Sequence, residues 1–109
     1  MKEREGALVQ GTLDMLILKT LALEPMHGYG IGQRIEQISR GVFRVNPGSL
    51  FPALRRLERE RWIKAAWKAT DNNRQAKYYA LTPRGRRKLE SETGEWTRQI
   101  AAIARILEA

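Results

Sequence analysis

The stretch "NPGSLFPALRRLERERWI", residues 46–63, most constrains how this chain folds. Three leucines in it recur at helical spacing, and the second and third lie within about 40° of the first on a wheel of 3.6 residues per turn. They are Leu50, Leu54 and Leu57. Asn46 is a favourable N-cap and Pro47 a favourable first helical residue. The pattern predicts a helix that begins at residue 47 and buries one leucine stripe.

The opposite side of this helix carries a proline and a cluster of positive charge. Pro52 falls early in the helix, so it removes at most one backbone hydrogen bond, and it points away from the leucines. The arginines on the same outer side are Arg55, Arg56 and Arg59. An anionic partner explains such a face. The alternative is a solvated face on which Glu58 or Glu60 pairs with some of the arginines.

The positive charge is concentrated in the middle of the chain. The 109 residues carry a net charge of +8 and a pI near 10.4. Residues 44–88 hold 13 Lys/Arg against 3 Asp/Glu, whereas the rest hold 7 against 9. The middle block therefore has a net charge of +10 and the remainder −2. A block of one sign favours an anionic partner such as nucleic acid.

The composition argues against several other kinds of function. There is no cysteine, and His27 is the single histidine, so a zinc site or a catalytic triad lacks the side chains it needs. We see no paired carboxylates at catalytic spacing and no glycine loop for phosphate, and therefore expect no enzyme and no cofactor. No apolar run reaches the length that spans a membrane, so a soluble cytoplasmic protein is expected.

Two helices are predicted before the arginine-rich one. Residues 12–24 are apolar on nearly all sides, which predicts a helix buried in its own core and also against another subunit, through Met15 and Leu18. Residues 27–39 carry isoleucines at positions i, i+4 and i+7, typical of a short amphipathic helix. His27 is expected to cap or pack this helix. Tyr29 is expected to hold it at the core or its edge, or else to contact a phosphate.

A β-hairpin and a long helix are predicted after it. Residues 62–70 and 77–82 are strand-like, with a turn-rich loop between them that carries Arg74. Trp62 and Trp67 are expected to pack from the hairpin onto the core. Thr82 and Pro83 then begin a helix as N-cap and first residue. Its apolar seam is spaced 4, 3, 4, 3 and 4, as in a heptad repeat, through Leu89, Thr93, Trp96, Ile100, Ile103 and Leu107.

Three helices followed by a hairpin predict a winged helix-turn-helix, a mainly α fold with a small β-hairpin (α+β). In that motif the third helix lies in the DNA major groove. We assign residues 1–82 to a DNA-binding domain and residues 83–109 to a C-terminal dimerisation helix. The two form one compact unit without a linker.

The chain resembles the PadR-like transcriptional regulators. The matching segments are "GTLDMLILKTLALEPMHGYGI" at 11–31, "PGSLFPALRRLERERWI" at 47–63 and "AKYYALTPRGRRKLE" at 76–90. The resemblance implies a homodimeric winged-helix regulator, usually a repressor, of the short subtype in which one C-terminal helix supplies the dimer contacts. It departs from the family at Phe51, where a tyrosine is usual, so that an apolar or stacking contact is expected there.

Together with the arginine face, this resemblance gives the expected sites. The DNA-binding residues are expected to be Tyr29, Asn46, Gly48, Ser49, Phe51, Arg55, Arg56, Arg59, Asn73, Arg74 and Lys77. The dimerisation residues are expected to be Met15, Leu18, Leu89, Trp96, Ile100, Ile103 and Leu107. Trp96 is expected to pack in the dimer or to form the wall of a pocket for a small aromatic or hydrophobic effector.

The expected function is repression of transcription from a pseudo-palindromic operator bound by a homodimer, with release by a small hydrophobic effector as a further option. When bound to DNA the protein would lie on the nucleoid. The alternative is a winged-helix architectural or protein-interaction module that binds nucleic acid without sequence specificity, because a fold does not fix a function.

Overall fold

The computed structural model describes residues 10–109 and contains four helices and one small sheet. The elements in chain order are α1 (Gln10–Leu23), β1 (Met26–His27), α2 (Gly28–Ile38), α3 (Pro47–Arg59), β2 (Ile63–Ala69), β3 (Gln75–Leu81) and α4 (Pro83–Glu108). The expected α+β class, with three helices, a hairpin and a long last helix, is confirmed. The first nine residues of the expected DNA-binding domain lie outside the described residues.

The sheet has three antiparallel strands in the order β1-β3-β2. The expected hairpin is present, and its register runs from Ile63 opposite Leu81 to Ala69 opposite Gln75. We call this hairpin, residues 63–81, the wing. A third strand, β1, is not predicted from the sequence; it pairs with β3 through Met26 opposite Tyr79. A strand of two residues is too short to show an alternating pattern.

One core joins the helices to the base of the wing. It is formed by leucines and isoleucines of α1, α2 and α3, together with Ile63 and Tyr79 of the sheet and Leu89 of α4. Each such side chain contributes about 1.5–3 kcal/mol when it is fully buried. The leucine stripe predicted for α3 lies wholly in this core, because Leu50, Leu54 and Leu57 are all buried.

Two residues expected on the dimer face belong to this core. Leu18 is 1% exposed and Leu89 is 6% exposed within the single chain. Their side chains therefore have almost no surface left for a second subunit, and the expectation is wrong for both. The cause is that α1 is covered on several sides by its own chain, since it contacts α2, α3, α4 and β3.

Side-chain caps define where α2, α3 and α4 begin. The Gly30 N–H donates to Nδ1 of His27 (3.0 Å), which confirms the capping role expected for this histidine. The Ser49 N–H donates to Oδ1 of Asn46 (2.9 Å), as the cap predicted for α3 requires. Such caps satisfy backbone donors that have no partner within the helix.

The junction between the wing and α4 is a single residue, Thr82. Its hydroxyl accepts from the Gly85 N–H (2.9 Å) and donates to the Arg61 carbonyl oxygen (2.7 Å). Its N–H donates to the carbonyl oxygen of Trp62 (3.1 Å). A Cβ at residue 85 would overlap that same oxygen. Glycine is therefore required where the first turn of α4 crosses the start of β2.

Candidate nucleic-acid interface

The outer face of α3 presents two exposed arginines. Arg55 and Arg59 are one helical turn apart, on the side of α3 that faces solvent, away from Leu54 and Leu57. Within residues 10–109, neither arginine takes part in a salt bridge. Both guanidinium groups are thus available to bind phosphate or the O6 and N7 atoms of guanine.

Arg56 does not share this face, contrary to expectation. Its Nη2 atom lies 2.5 Å from Oδ1 of Asp14, and both side chains are largely shielded from solvent. Arg56 follows Arg55 by about 100° around the helix, which turns its side chain toward α1. The pair therefore joins α1 to α3 inside the protomer.

The start of α3 is exposed and polar. Asn46, Gly48 and Ser49, three of the expected contact residues, are all exposed there. The side-chain oxygen of Asn46 is already used as the helix cap. The first turn of a helix carries a partial positive charge and attracts anions. This end of α3 therefore suits a phosphate group.

Phe51 packs α3 against α2. A Cβ added to Gly28 would lie only 2.7 Å from the edge of the Phe51 ring. The Phe51 ring also meets the ring of Tyr29 edge-on, with 5.6 Å between the two centroids. The Tyr29 ring is thereby held at the edge of the molecule and is 64% exposed. The contact expected of Phe51 is with DNA; within the protein its ring packs between α2 and α3 and against Tyr29.

The tip of the wing is a tight turn with polar side chains. The Asn73 N–H donates to the Thr70 carbonyl oxygen (2.9 Å). The Thr70 N–H donates in turn to the Arg74 carbonyl oxygen (2.6 Å). Asn73 has φ +60°, a conformation that asparagine adopts more readily than most residues. Asn73 and Arg74 both point into solvent, as expected of residues that reach DNA.

Lys77 ties the wing to α3. Its ammonium lies 3.4 Å from Oε1 of Glu58 and 5.6 Å from the centroid of the Tyr79 ring. The alternative in which Glu58 neutralises an arginine of α3 is therefore wrong, because Glu58 pairs with the wing instead. Lys77 therefore helps to hold the wing against α3, in addition to adding positive charge to the wing.

Trp62, immediately before the wing, and Trp67, within it, behave differently. Trp62 packs against the core, and the Lys88 ammonium lies 4.8 Å from its ring centroid, so the expected packing is confirmed. Trp67 is 66% exposed, and the expectation that it packs on the core is wrong. Tyr79 and Ile63 already fill the space between the sheet and the helices, and the strand carries Trp67 beyond them.

The comparison with known families decides what kind of protein this is. Residues 17–91 match the model of the transcriptional regulator PadR-like family. The chain belongs to this family. The matched region includes α2, α3 and the whole wing. PadR-like proteins are transcriptional regulators rather than enzymes; they bind DNA and typically dimerise.

The chain is also similar to individual proteins over most of its length. A PadR-like transcriptional regulator from Bacillus cereus is 26% identical; the match covers 91% of this chain and 94% of that one, with a TM-score of 0.79. A Streptococcus mutans protein is 28% identical over 93% and 91% of the two chains, with a TM-score of 0.82. A 37.1 kDa protein in a transposon of Streptomyces fradiae is 42% identical over 84 residues, which are 77% of this chain. The match spans only 23% of that relative.

The C-terminal half of α4 carries an exposed apolar surface. Ile100, Ile103 and Leu107 of the seam are 56%, 54% and 79% exposed. Ile106, which the sequence analysis did not select, is also exposed. Monomeric proteins rarely leave so many large apolar side chains together in water.

Trp96 lines a cleft between α1 and α4. The cleft has a volume of about 400 Å³, and its other lining residues are Gly11, Thr12, Glu92, Glu95 and Gln99. The indole is half-buried and so presents part of its ring to the cleft. The cleft opens where the start of α1 lies beside the middle of α4.

Within residues 10–109, no group of three or more His, Cys, Asp or Glu side chains is arranged to hold a metal ion. None of the helices in the same range combines the length and apolarity needed to cross a membrane.

Proposed function

We propose that this PadR-like protein represses transcription as a homodimer that binds a pseudo-palindromic operator. The observation that carries the proposal is the outer face of α3, where Arg55 and Arg59 are exposed and unpaired among the described residues. A repressor of this kind excludes the transcription machinery by occupying the promoter.

The arginine face is proposed to contact bases. With α3 in the major groove, an arginine that forms two hydrogen bonds to guanine discriminates against a wrong base by about 1–3 kcal/mol. Arg74 and Asn73 at the wing tip, and the exposed start of α3, are proposed to bind phosphates and so set the register of the protein on DNA. Arg56 is excluded from the base contacts because Asp14 holds it.

A second copy of the chain is proposed to cover the exposed apolar face of α4. Two chains related by a two-fold axis present two copies of α3 to one side of the duplex. The half-sites are then separated by about one helical turn, roughly 10–10.5 bp, or by a multiple of it. This arrangement accounts for the apolar residues that the single chain leaves in water.

Selection of duplexes from a random pool by the purified protein tests the proposal. Enrichment of one pseudo-palindrome supports an operator-binding regulator, whereas binding to all sequences alike supports the architectural module. With roughly 6–10 phosphate contacts, the affinity for the enriched duplex should fall about 10³–10⁵-fold between 50 and 200 mM salt. An affinity that does not change with salt would contradict DNA binding through these cations.

The cleft at Trp96 supports release by a small effector. An aromatic wall and a volume of about 400 Å³ suit a flat hydrophobic molecule. A panel of planar aromatic compounds should include one that dissociates the protein from its enriched duplex and quenches tryptophan fluorescence. Trp96→Ala should abolish the release while DNA binding persists. If no compound in the panel lowers the affinity for DNA, this part of the proposal fails.

A further inference from the structure

We propose that Trp67 is a DNA-contact residue whose indole packs against the sugars and base edges of the duplex beside α3. This inference rests on the proposed function and adds to it an apolar contact that the cationic residues cannot supply. Trp67 is 66% exposed, and neither the sequence analysis nor the family resemblance assigned it such a role.

The strand places Trp67 on the same face of the sheet as the core. Side chains of a β-strand alternate between the two faces, so Ile63, Ala65 and Trp67 lie on one of them. Ile63 is 1% exposed and packs beneath the helices. At Trp67, four residues further along β2, this face of the sheet lies beyond the edge of the helices. Trp67 therefore projects from the helix side of the wing into open space.

The neighbours of Trp67 locate this space beside the arginine face. In the β2–β3 register Trp67 is directly opposite Lys77, whose ammonium reaches Glu58 of α3. Directly opposite residues have Cβ atoms about 4.5–5.5 Å apart. Glu58 lies on α3 immediately before Arg59 and three residues after Arg55. The indole thus borders the surface proposed to bind DNA.

The surrounding charge indicates which partner covers the indole. Lys77 lies opposite Trp67, Lys68 is its neighbour in the chain, and Arg74 is at the wing tip. A second copy of this cationic face would repel the first, whereas a DNA duplex attracts it. DNA also offers apolar surface, on its deoxyribose rings and at base steps into which proteins insert apolar side chains.

The chemistry of indole predicts a distinctive signature. A neutral ring that packs on sugars or bases adds binding free energy without displacing counterions, and its N–H can donate to an acceptor at the groove edge. The loss of Trp67 should therefore lower the affinity at every salt concentration by the same factor. The loss of a cation on the same hairpin should lower the affinity and also flatten its dependence on salt.

The test compares Trp67→Ala and Arg74→Ala on a duplex that the wild-type protein enriches from a random pool. Trp67→Ala should weaken binding about tenfold and leave the slope of log K against log salt unchanged. Arg74→Ala should reduce that slope by about 0.9 if it contacts one phosphate. Trp67→Phe should recover most of the affinity. Leu23→Ala, which truncates another exposed apolar side chain, should bind like the wild type.

Fluorescence gives a second measurement that does not depend on the size of the affinity loss. In a Trp62→Phe/Trp96→Phe variant, Trp67 is the sole tryptophan, and bound duplex should protect it from acrylamide. Equal affinity of the wild type and Trp67→Ala, or a Trp67 that acrylamide quenches equally with and without DNA, overturns the inference alone. If the wild type enriches no duplex, the proposed function fails as well.

Discussion

The body of the protein, which comprises α1 to β3 and the start of α4, differs from the last two turns of α4 in how its large apolar side chains are placed. In the body, Ile17, Ile31 and Leu54 are fully buried by other parts of the same chain. In the end of α4, Ile103 and Leu107 remain exposed, although they continue the seam that begins with the buried Leu89. One sequence pattern thus leads to two environments.

The difference shows where the fold of one chain is complete. The seam packs on its own protomer only as far as α4 lies beside α1, and beyond that point the helix extends away from the body. The chain is 55 Å long and 21 Å thick, which reflects this extension. The body buries its large apolar core residues through its own contacts, whereas the end of α4 leaves its apolar residues exposed, where a second copy of the chain is proposed to cover them. Substitutions in the two regions should therefore differ in what they change.

The largest effect is expected from charges on the exposed end of the seam. Ile100→Glu/Ile103→Glu places four carboxylates in a homodimer where four isoleucines would be buried. With about 1.5–3 kcal/mol for each buried isoleucine, the dimer should lose at least about 6 kcal/mol and dissociate. Analytical ultracentrifugation should show a folded monomer with the helical circular dichroism of the wild type.

A control on the opposite side of α4 makes this test specific. Ala101→Glu/Arg105→Glu adds two carboxylates at exposed positions that face away from the seam. It should remain dimeric. If the seam variant also sediments as a dimer, α4 is not the dimerisation element and the contrast between the two regions loses its meaning.

The second largest effect is expected in the body. Leu54 is fully buried, and Leu54→Ala should lower the free energy of unfolding by about 2–5 kcal/mol. The loss should be seen in the monomeric seam variant as well, because every contact of Leu54 lies within one chain. Urea denaturation of both backgrounds measures it. A loss confined to the dimeric protein would show that the body is not stable alone.

A smaller effect is expected where α4 leaves the body. Gly85→Ala forces a Cβ against the carbonyl oxygen of Trp62 and should cost about 1–3 kcal/mol of stability. The matched control lies on the same helix, since a Cβ at Gly94 meets no described atom within 4 Å. Gly94→Ala should stabilise the helix by about 1 kcal/mol. Thermal unfolding should therefore separate the two variants in opposite directions.

The smallest effect is expected for the ion pair that joins α1 to α3. Asp14→Ala should destabilise the body by about 1 kcal/mol, at the upper end for ion pairs near a surface. The more exposed pair of Glu24 with Arg34 serves as the control, and Glu24→Ala should cost less. A double-mutant cycle with Arg56→Ala measures the coupling. If Arg56→Ala relaxes DNA discrimination while Asp14→Ala has no effect, Arg56 contacts a base after all.

The helices could be predicted from the sequence because their signals are local. The cap at Asn46, the leucine stripe and the proline at position 47 all lie within α3 and require no knowledge of the rest of the fold. The same holds for Thr82 and the start of α4. In these places the observed bounds agree with the pattern to within two residues.

The expectations that the structure contradicts depend on contacts between parts of the chain that are distant in sequence. A helical wheel groups Arg56 with Arg55 and Arg59, because Asp14, 42 residues away, gives no local signal of pairing. Trp67 has the same alternation as Ile63, and only the position of the helices shows where the core ends. Periodicity predicts that Leu18 is buried, but it does not say whether its own chain or a second subunit buries it.

The single-residue junction at Thr82 has a consequence for the DNA that the protein can occupy. In the proposed homodimer, β3 passes into α4 without slack, so the crossing angle of the two α4 helices also sets the distance between the two wings. Inserting about half a helical turn of base pairs between the half-sites would put them on opposite sides of the duplex. A joint this short cannot follow such a rotation, so the geometry of the helix pair limits which operators fit.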